Sequence, residues 1–270
     1  MVGVPLIELD RVSKSFDGGR RFAVHEVSLA VAPESFIAIV GTSGSGKTTV
    51  LKMINRLIEP DGGEVRFEGA AVVPGDAPSL RRRIGYVFQE IGLFPHLTVA
   101  QNIGITPRLL AWPRRDIEAR VAELLDLVEL PRHFASRFPR SLSGGERQRA
   151  GVARALAARP RVMLMDEPFG ALDPITRDTL GFAYRTLHER LGITTLMVTH
   201  DVEEAVLLAD RIVMMSAGRI IADGTPAALS DNAASPQAAA LMAMPRQKAE
   251  RIRARLGAAG EAPSGPLSHG

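Results

Sequence analysis

The chain has 270 residues, 46% of them hydrophobic, enough for one large domain or a core with a lobe, and its composition argues against disorder throughout. Its 33 basic and 30 acidic residues are too evenly balanced to argue for a nucleic-acid-binding face, and the absence of cysteine excludes a disulfide framework and a thiolate metal site, as suits a reducing, cytosolic compartment. Glu8 and Asp10 interrupt the N-terminus before an apolar signal region forms, and no apolar run reaches the roughly 20 residues a bilayer requires, so neither a membrane crossing nor classical export is expected.

Strand-like runs crowd the first third, at Ile7 to Val12, Phe22 to Leu29, Phe36 to Val40 and Glu64 to Phe67, with turns at Asp17-Gly18-Gly19 and Asp61-Gly62-Gly63. They predict an antiparallel sheet leading into the Gly-rich stretch after Val40. Residues 92–158 read as mainly helical: Ile117, Val121, Leu124, Leu125 and Val128 fall on one face of a helix from Asp116 to Leu130. Strand-like runs return at Arg161 to Met165, Thr194 to Val198 and Arg211 to Met215, separated by helical patterns at Ile175 to Leu191 and Val202 to Leu208, an alternation that predicts a parallel sheet. A helix is expected near Pro236 to Leu256, followed by a tail too small and polar to pack. The division implied is a core of 1–91 and 159–225, a helical lobe at 92–158 and a C-terminal helix with a disordered tail at 226–270.

Three stretches carry chemistry. Gly41-Thr42-Ser43-Gly44-Ser45-Gly46-Lys47-Thr48-Thr49 matches the phosphate-binding loop: glycines let successive backbone N–H groups curl around phosphates, Lys47 reaches the β and γ oxygens, and Thr48 offers a hydroxyl to Mg²⁺. At 162–168, Val-Met-Leu-Met-Asp-Glu-Pro is a buried-strand pattern ending in two acids, of which Asp166 can hold Mg²⁺ and Glu167 can deprotonate an attacking water. In Leu142-Ser143-Gly144-Gly145-Glu146, Ser143 is placed to cap the helix that follows, while Gly144 and Gly145 let its first N–H groups approach an anion.

In this order the stretches resemble the ATP-binding subunit of an ABC transporter, over nearly all of residues 6–225, with LSGGE at 142–146 the most specific element. The resemblance implies an α/β fold, a RecA-like P-loop NTPase core with an antiparallel β subdomain and an inserted α-helical subdomain. It implies that Phe16 stacks on the adenine of ATP, that Gln89 senses Mg²⁺ and links the lobes, that Asp173 communicates across a dimer, and that His200 contacts the γ-phosphate. Taken singly, each has a weaker plain reading: Phe16 as core, Gln89 as a solvated loop residue and His200 as a strand-end histidine. The family pairs two copies head to tail, so that Ser143 to Gly145 of one would close on the phosphates held by Lys47 of the other. Residues 84–103 and 166–177 look like the ATPases of importers for glycine betaine, choline, proline and related osmoprotectants. The partners implied are a second copy, a membrane permease whose short helix docks at Ile91 to Pro95, and indirectly a solute-binding protein, with peripheral attachment to the cytoplasmic face. An importer of nitrate, sulfonates or amino acids remains open, as does a soluble ATPase acting on nucleic acid or ribosomes, which the single loop, short helical lobe and lack of cysteine disfavour.

Overall fold

The computed structural model describes residues 4–258 other than 74, 76, 90, 91, 171 and 232–234; Ile91 and all but the first two residues of the polar tail expected from 257 onward lie outside the described residues. Strand β1 (Ile7–Ser15) pairs antiparallel with β2 (Phe22–Val31) and β4 (Gly62–Phe67), and β4 carries the short β5 (Ala70–Ala71), giving a sheet in the order β2-β1-β4-β5. Strand β3 (Phe36–Val40), expected to join them, does not. It lies in a second sheet, parallel to β8 (Thr194–Thr199) and β9 (Arg211–Ser216). Its composition accounts for the correction: all five residues are buried, and a strand apolar on both faces belongs inside a sheet covered on both sides, whereas β2 alternates as a half-exposed strand does.

The second sheet runs β10-β9-β3-β8-β7-β6, with β6 (Ile84–Val87) and β7 (Val162–Asp166) parallel to β8, and β10 (Arg219–Gly224) antiparallel at the edge. Between β6 and β7 come α3 (Val99–Ile103), α4 (Ile105–Leu109), α5 (Arg114–Leu127) and α6 (Gly144–Leu156). The strand residues divide their side chains between two cores. Phe36, Ala38 and Val40 pack with Val99, Ile103, Leu124 and Leu125 of the helical segment, while Ile37 and Ile39 pack with Ile7, Leu9 and Val12 of the antiparallel sheet. Sheet and helical segment thus share one core.

Register fixes where chemistry can occur. Val40 of β3 lies beside Thr199 of β8, Val198 of β8 beside Asp166 of β7, and Met165 of β7 beside Val87 of β6. Four loops from distant parts of the chain therefore leave one edge side by side, across roughly 14 Å at the usual strand spacing. Helices α1 (Lys47–Ile54), α7 (Pro174–Leu191) and α8 (Val202–Leu208) start from three of them.

Candidate nucleotide site

The loop between β3 and α1 is pressed against its neighbours where glycine stands. A Cβ on Gly41 would lie 2.2 Å from the Met215 carbonyl oxygen, and one on Gly46, at φ 100°, would lie 2.3 Å from that of Ala23. Only glycine fits either place. Thr42, Ser43 and Gly44 form the exposed rim, with Ser45 buried and Thr49 half-buried behind them. No side chain caps the start of α1, so its first N–H groups are available to an anion. Lys47 is buried and donates to the carbonyls of Gly41 at 2.8 Å and Thr42 at 3.0 Å. Burial holds its ammonium below the ordinary lysine range, opposed by the charges of Glu167 and Asp166. A glycine cradle, an uncapped helix start and a buried ammonium together fit a phosphate.

Asp166 ends β7 and accepts a hydrogen bond from the Thr48 hydroxyl at 2.8 Å. Burial raises its pKa, against the Thr48 hydrogen bond and the charges of Lys52 and Lys47. A hydroxyl and a carboxylate oxygen in contact are the hard donors that Mg²⁺ takes. Glu167 leaves the strand with a left-handed φ of 45° and its N–H on the Val198 carbonyl at 2.9 Å. Its carboxylate accepts from Gln89 Nε2 at 3.2 Å and lies 3.3 Å from His200 Nδ1. Gln89, expected at the metal, is thus bonded to Glu167 rather than to the Thr48–Asp166 pair.

Phe16 is 64% exposed, which excludes the core alternative. Its turn is braced by Asp61, which accepts from Lys14 Nζ at 2.6 Å and Ser15 N at 2.7 Å, and by the Ser15 hydroxyl, which accepts from Gly19 N at 2.8 Å. Ser143 caps α6 as expected: its hydroxyl accepts from Glu146 N at 3.3 Å, and the Glu146 carboxylate accepts from Ser143 N at 2.6 Å. Asp173 caps α7 by accepting from Thr176 N at 3.0 Å. Among the described residues, no hydrogen bond joins Ser143, Gly144 or Gly145 to the loop at 41–49. One chain brings Lys47, Thr48, Asp166, Glu167, Gln89 and His200 together, and among the described residues no hydrogen bond ties the Ser143 helix start to them.

Sequence reasoning missed several residues that shape the site. Asn102, 0% exposed, accepts from Phe94 N at 2.7 Å and donates to the carbonyls of Phe94, Leu97 and Thr98, so one side chain holds the turn after Gln89. Arg154 donates to the Gly92 carbonyl at 2.6 Å, and burial lowers its pKa. Arg154 lines a groove of about 700 Å³ together with Gln89, Phe88 and Phe94. Phe94 is 42% exposed on it, while Leu93 beside it packs against the larger core. Glu204, 9% exposed on α8, has its pKa pushed up to about 7 by burial, against the Thr199 hydrogen bond.

A phosphate loop, a strand-end acid pair and a capped LSGGE helix on this sheet define an ATP-binding cassette. The ABC transporter family model matches residues 24–170, and the chain belongs to that family. It is similar to the choline transport ATP-binding protein OpuBA of Bacillus subtilis (strain 168), 52% identical over 221 residues that make up 82% of this chain; the chain spans only 58% of that relative's length. It is also similar to the glycine betaine uptake system ATP-binding protein YehX of Escherichia coli (strain K12), 50% identical over 221 residues, 82% of this chain and 71% of that protein. Among solved structures it resembles the dimeric, post-hydrolysis ATP-binding cassette MJ0796 bound to ADP and Pi, with a TM-score of 0.74 and 33% identity over 81% of this chain and 98% of that one. The α/β P-loop NTPase fold expected from the sequence is the fold observed.

Proposed function

We propose that this chain binds ATP with Mg²⁺ and hydrolyses it to power an importer for an osmoprotectant such as glycine betaine, choline or proline. It would act as a head-to-tail pair of copies on a separate permease at the cytoplasmic face of the membrane, supplied by a solute-binding protein, with no nucleic-acid partner. The observation that carries the chemistry is the Glu167 carboxylate, held between Gln89 and His200 beside a phosphate loop. A carboxylate so held can take the proton of an attacking water while the Gln89 amide and His200 imidazole keep it aimed. Lys47 would exchange the carbonyls of Gly41 and Thr42 for phosphate oxygens. Thr48 and Asp166 would hold Mg²⁺, which when bound neutralises charge on the phosphate oxygens. Phe16 would stack on the base, and Ser143, Gly144 and Gly145 of the second copy would close the site, a reading supported by the lack of any hydrogen bond between them and the loop among the described residues of one chain and by the dimeric state of MJ0796. The solute class rests on the names of OpuBA and YehX. No helix among the described residues is long and apolar enough to cross a membrane, which fits a subunit that works on a separate permease.

The decisive variant is Glu167→Gln. It removes the proton acceptor and leaves Asp166 and Thr48 in place, so ATP binding should persist while single-turnover hydrolysis falls roughly 10²- to 10⁴-fold. Hydrolysis at the wild-type rate would assign the chemistry elsewhere.

A further inference from the structure

Arg177, in the first turn of α7, reaches two loops at once. Its backbone N–H donates to the Asp173 carbonyl at 2.9 Å. One guanidinium nitrogen, Nη2, donates to the Leu172 carbonyl at 3.2 Å, on the turn that leads into Asp173, and the other, Nη1, donates to Asp201 Oδ2 at 3.2 Å. Asp201 follows His200 directly. Its second oxygen accepts from Glu203 N at 2.9 Å and Glu204 N at 3.3 Å, capping α8, and its own N–H donates to the Thr199 hydroxyl at 3.0 Å. His200 is therefore pinned from both neighbours, with Asp201 anchored to Arg177 on one side and to α8 on the other.

We propose that Arg177 is the positioning residue that ties the Asp173 turn to the His200 turn, so that movement of the first displaces the second. The assignment rests on the ATPase reading above, in which the Asp173 turn faces the second copy and His200 meets the phosphate. Three features support a positional role over a decorative surface pair. The side chains of Arg177 and Asp201 are each only 27% exposed, so solvent screens their attraction incompletely. The planar fork of arginine serves two acceptors in fixed directions, which a lysine cannot do. The buried Nε of Arg177 has no hydrogen-bond partner among the described residues, so the guanidinium is held through its two outer nitrogens.

The test uses the full chain with saturating Mg-ATP and compares Arg177→Met, Asp201→Asn and the double variant. Asparagine keeps the cap on α8 through its amide oxygen and removes the charge. Each single variant should melt near the wild type and lose roughly ten- to a hundredfold in kcat, with KM for ATP shifted by no more than about twofold. The double variant should be about as slow as either single one, because both break the same tie. Arg177→Lys should recover only part of the loss. Losses that multiply in the double variant, or a raised KM with kcat unchanged, overturn the proposal. If Arg177→Met does not fold, Asp201→Asn decides alone, and a wild-type kcat there overturns it. Absence of hydrolysis by the wild-type chain would instead overturn the ATPase reading beneath both.

Discussion

At Glu204 burial defeats ionisation, and the result is a pH dependence that can be measured. The carboxyl keeps its proton up to about pH 7 in the folded chain, against an ordinary value of 4.5. Between those values the folded state holds a proton that the unfolded state has released. The contribution to stability is therefore full below about pH 4.5 and is lost as pH rises through about 7, a change of about 3 kcal/mol. Glu204→Gln has the same shape and cannot ionise. It is expected to melt higher than the wild type at pH 8 and close to it at pH 5. Equal shifts at both pH values would show that Glu204 is not the group that titrates. Legibility in the sequence follows the same physical line at this scale. Gly41, Gly46, Lys47 and Asp166 could be read because backbone clash or charge dictates the residue type and the neighbours supply the context. Arg154 and the Arg177–Asp201 pair could not, because their acceptors are brought near only by the fold, as with Arg154 and Gly92, 62 positions apart.

Among the elements, the turn after Gln89 joins the nucleotide site to the groove. Asn102→Ala would strand the Phe94 N–H and the Leu97 carbonyl, while the carbonyls of Phe94 and Thr98 keep the backbone N–H groups of Leu97 and residue 102; a buried donor without a partner costs about 1–3 kcal/mol, read as a lowered melting temperature. Phe94→Asp is the sharper probe of what the groove receives. Phe94 is exposed in the free chain, so melting temperature and basal ATP hydrolysis should stay near wild type, while, on the proposed function, copurification with the proposed permease and solute uptake are lost. A variant that docks normally removes the groove from the docking surface. The strands β5, β6 and β10 are not read from the sequence, nor is the sheet that β3 joins, and two of these cases have different reasons. The placement of β3 depends on partners more than 150 residues downstream, and no local pattern reports which sheet a buried strand joins. The edge strand β10 shows one buried position in six and carries Asp223 and Gly224, so neither alternation nor composition marks it.

Across the whole molecule, the C-terminal helix α10 (Pro236–Ala258) is fastened to the core rather than trailing from it. Ala238 is fully buried, Leu241 and Met242 pack against the larger core, and Lys248 donates to Glu203 on α8 at 2.9 Å. A chain ended at residue 235 should keep ATP hydrolysis, since α10 makes none of the phosphate-loop or Glu167 contacts described, and should melt roughly 5–10 °C lower. An unchanged melting point would show the helix to be dispensable for stability. The strand order also sets a timetable. β3 finds its ladder partners only in β8 and β9, and at about 5–20 residues per second the stretch from Val40 to Thr199 takes on the order of 10 to 30 seconds to synthesise. Through that interval the most apolar strand of the nascent chain stands on the ribosome with no neighbour to pair with, and the loop after it lacks the Met215 carbonyl against which Gly41 closes. A product released early is sticky and unable to hold nucleotide, so chaperones have a long window in which to engage it and proteases a plain reason to remove it.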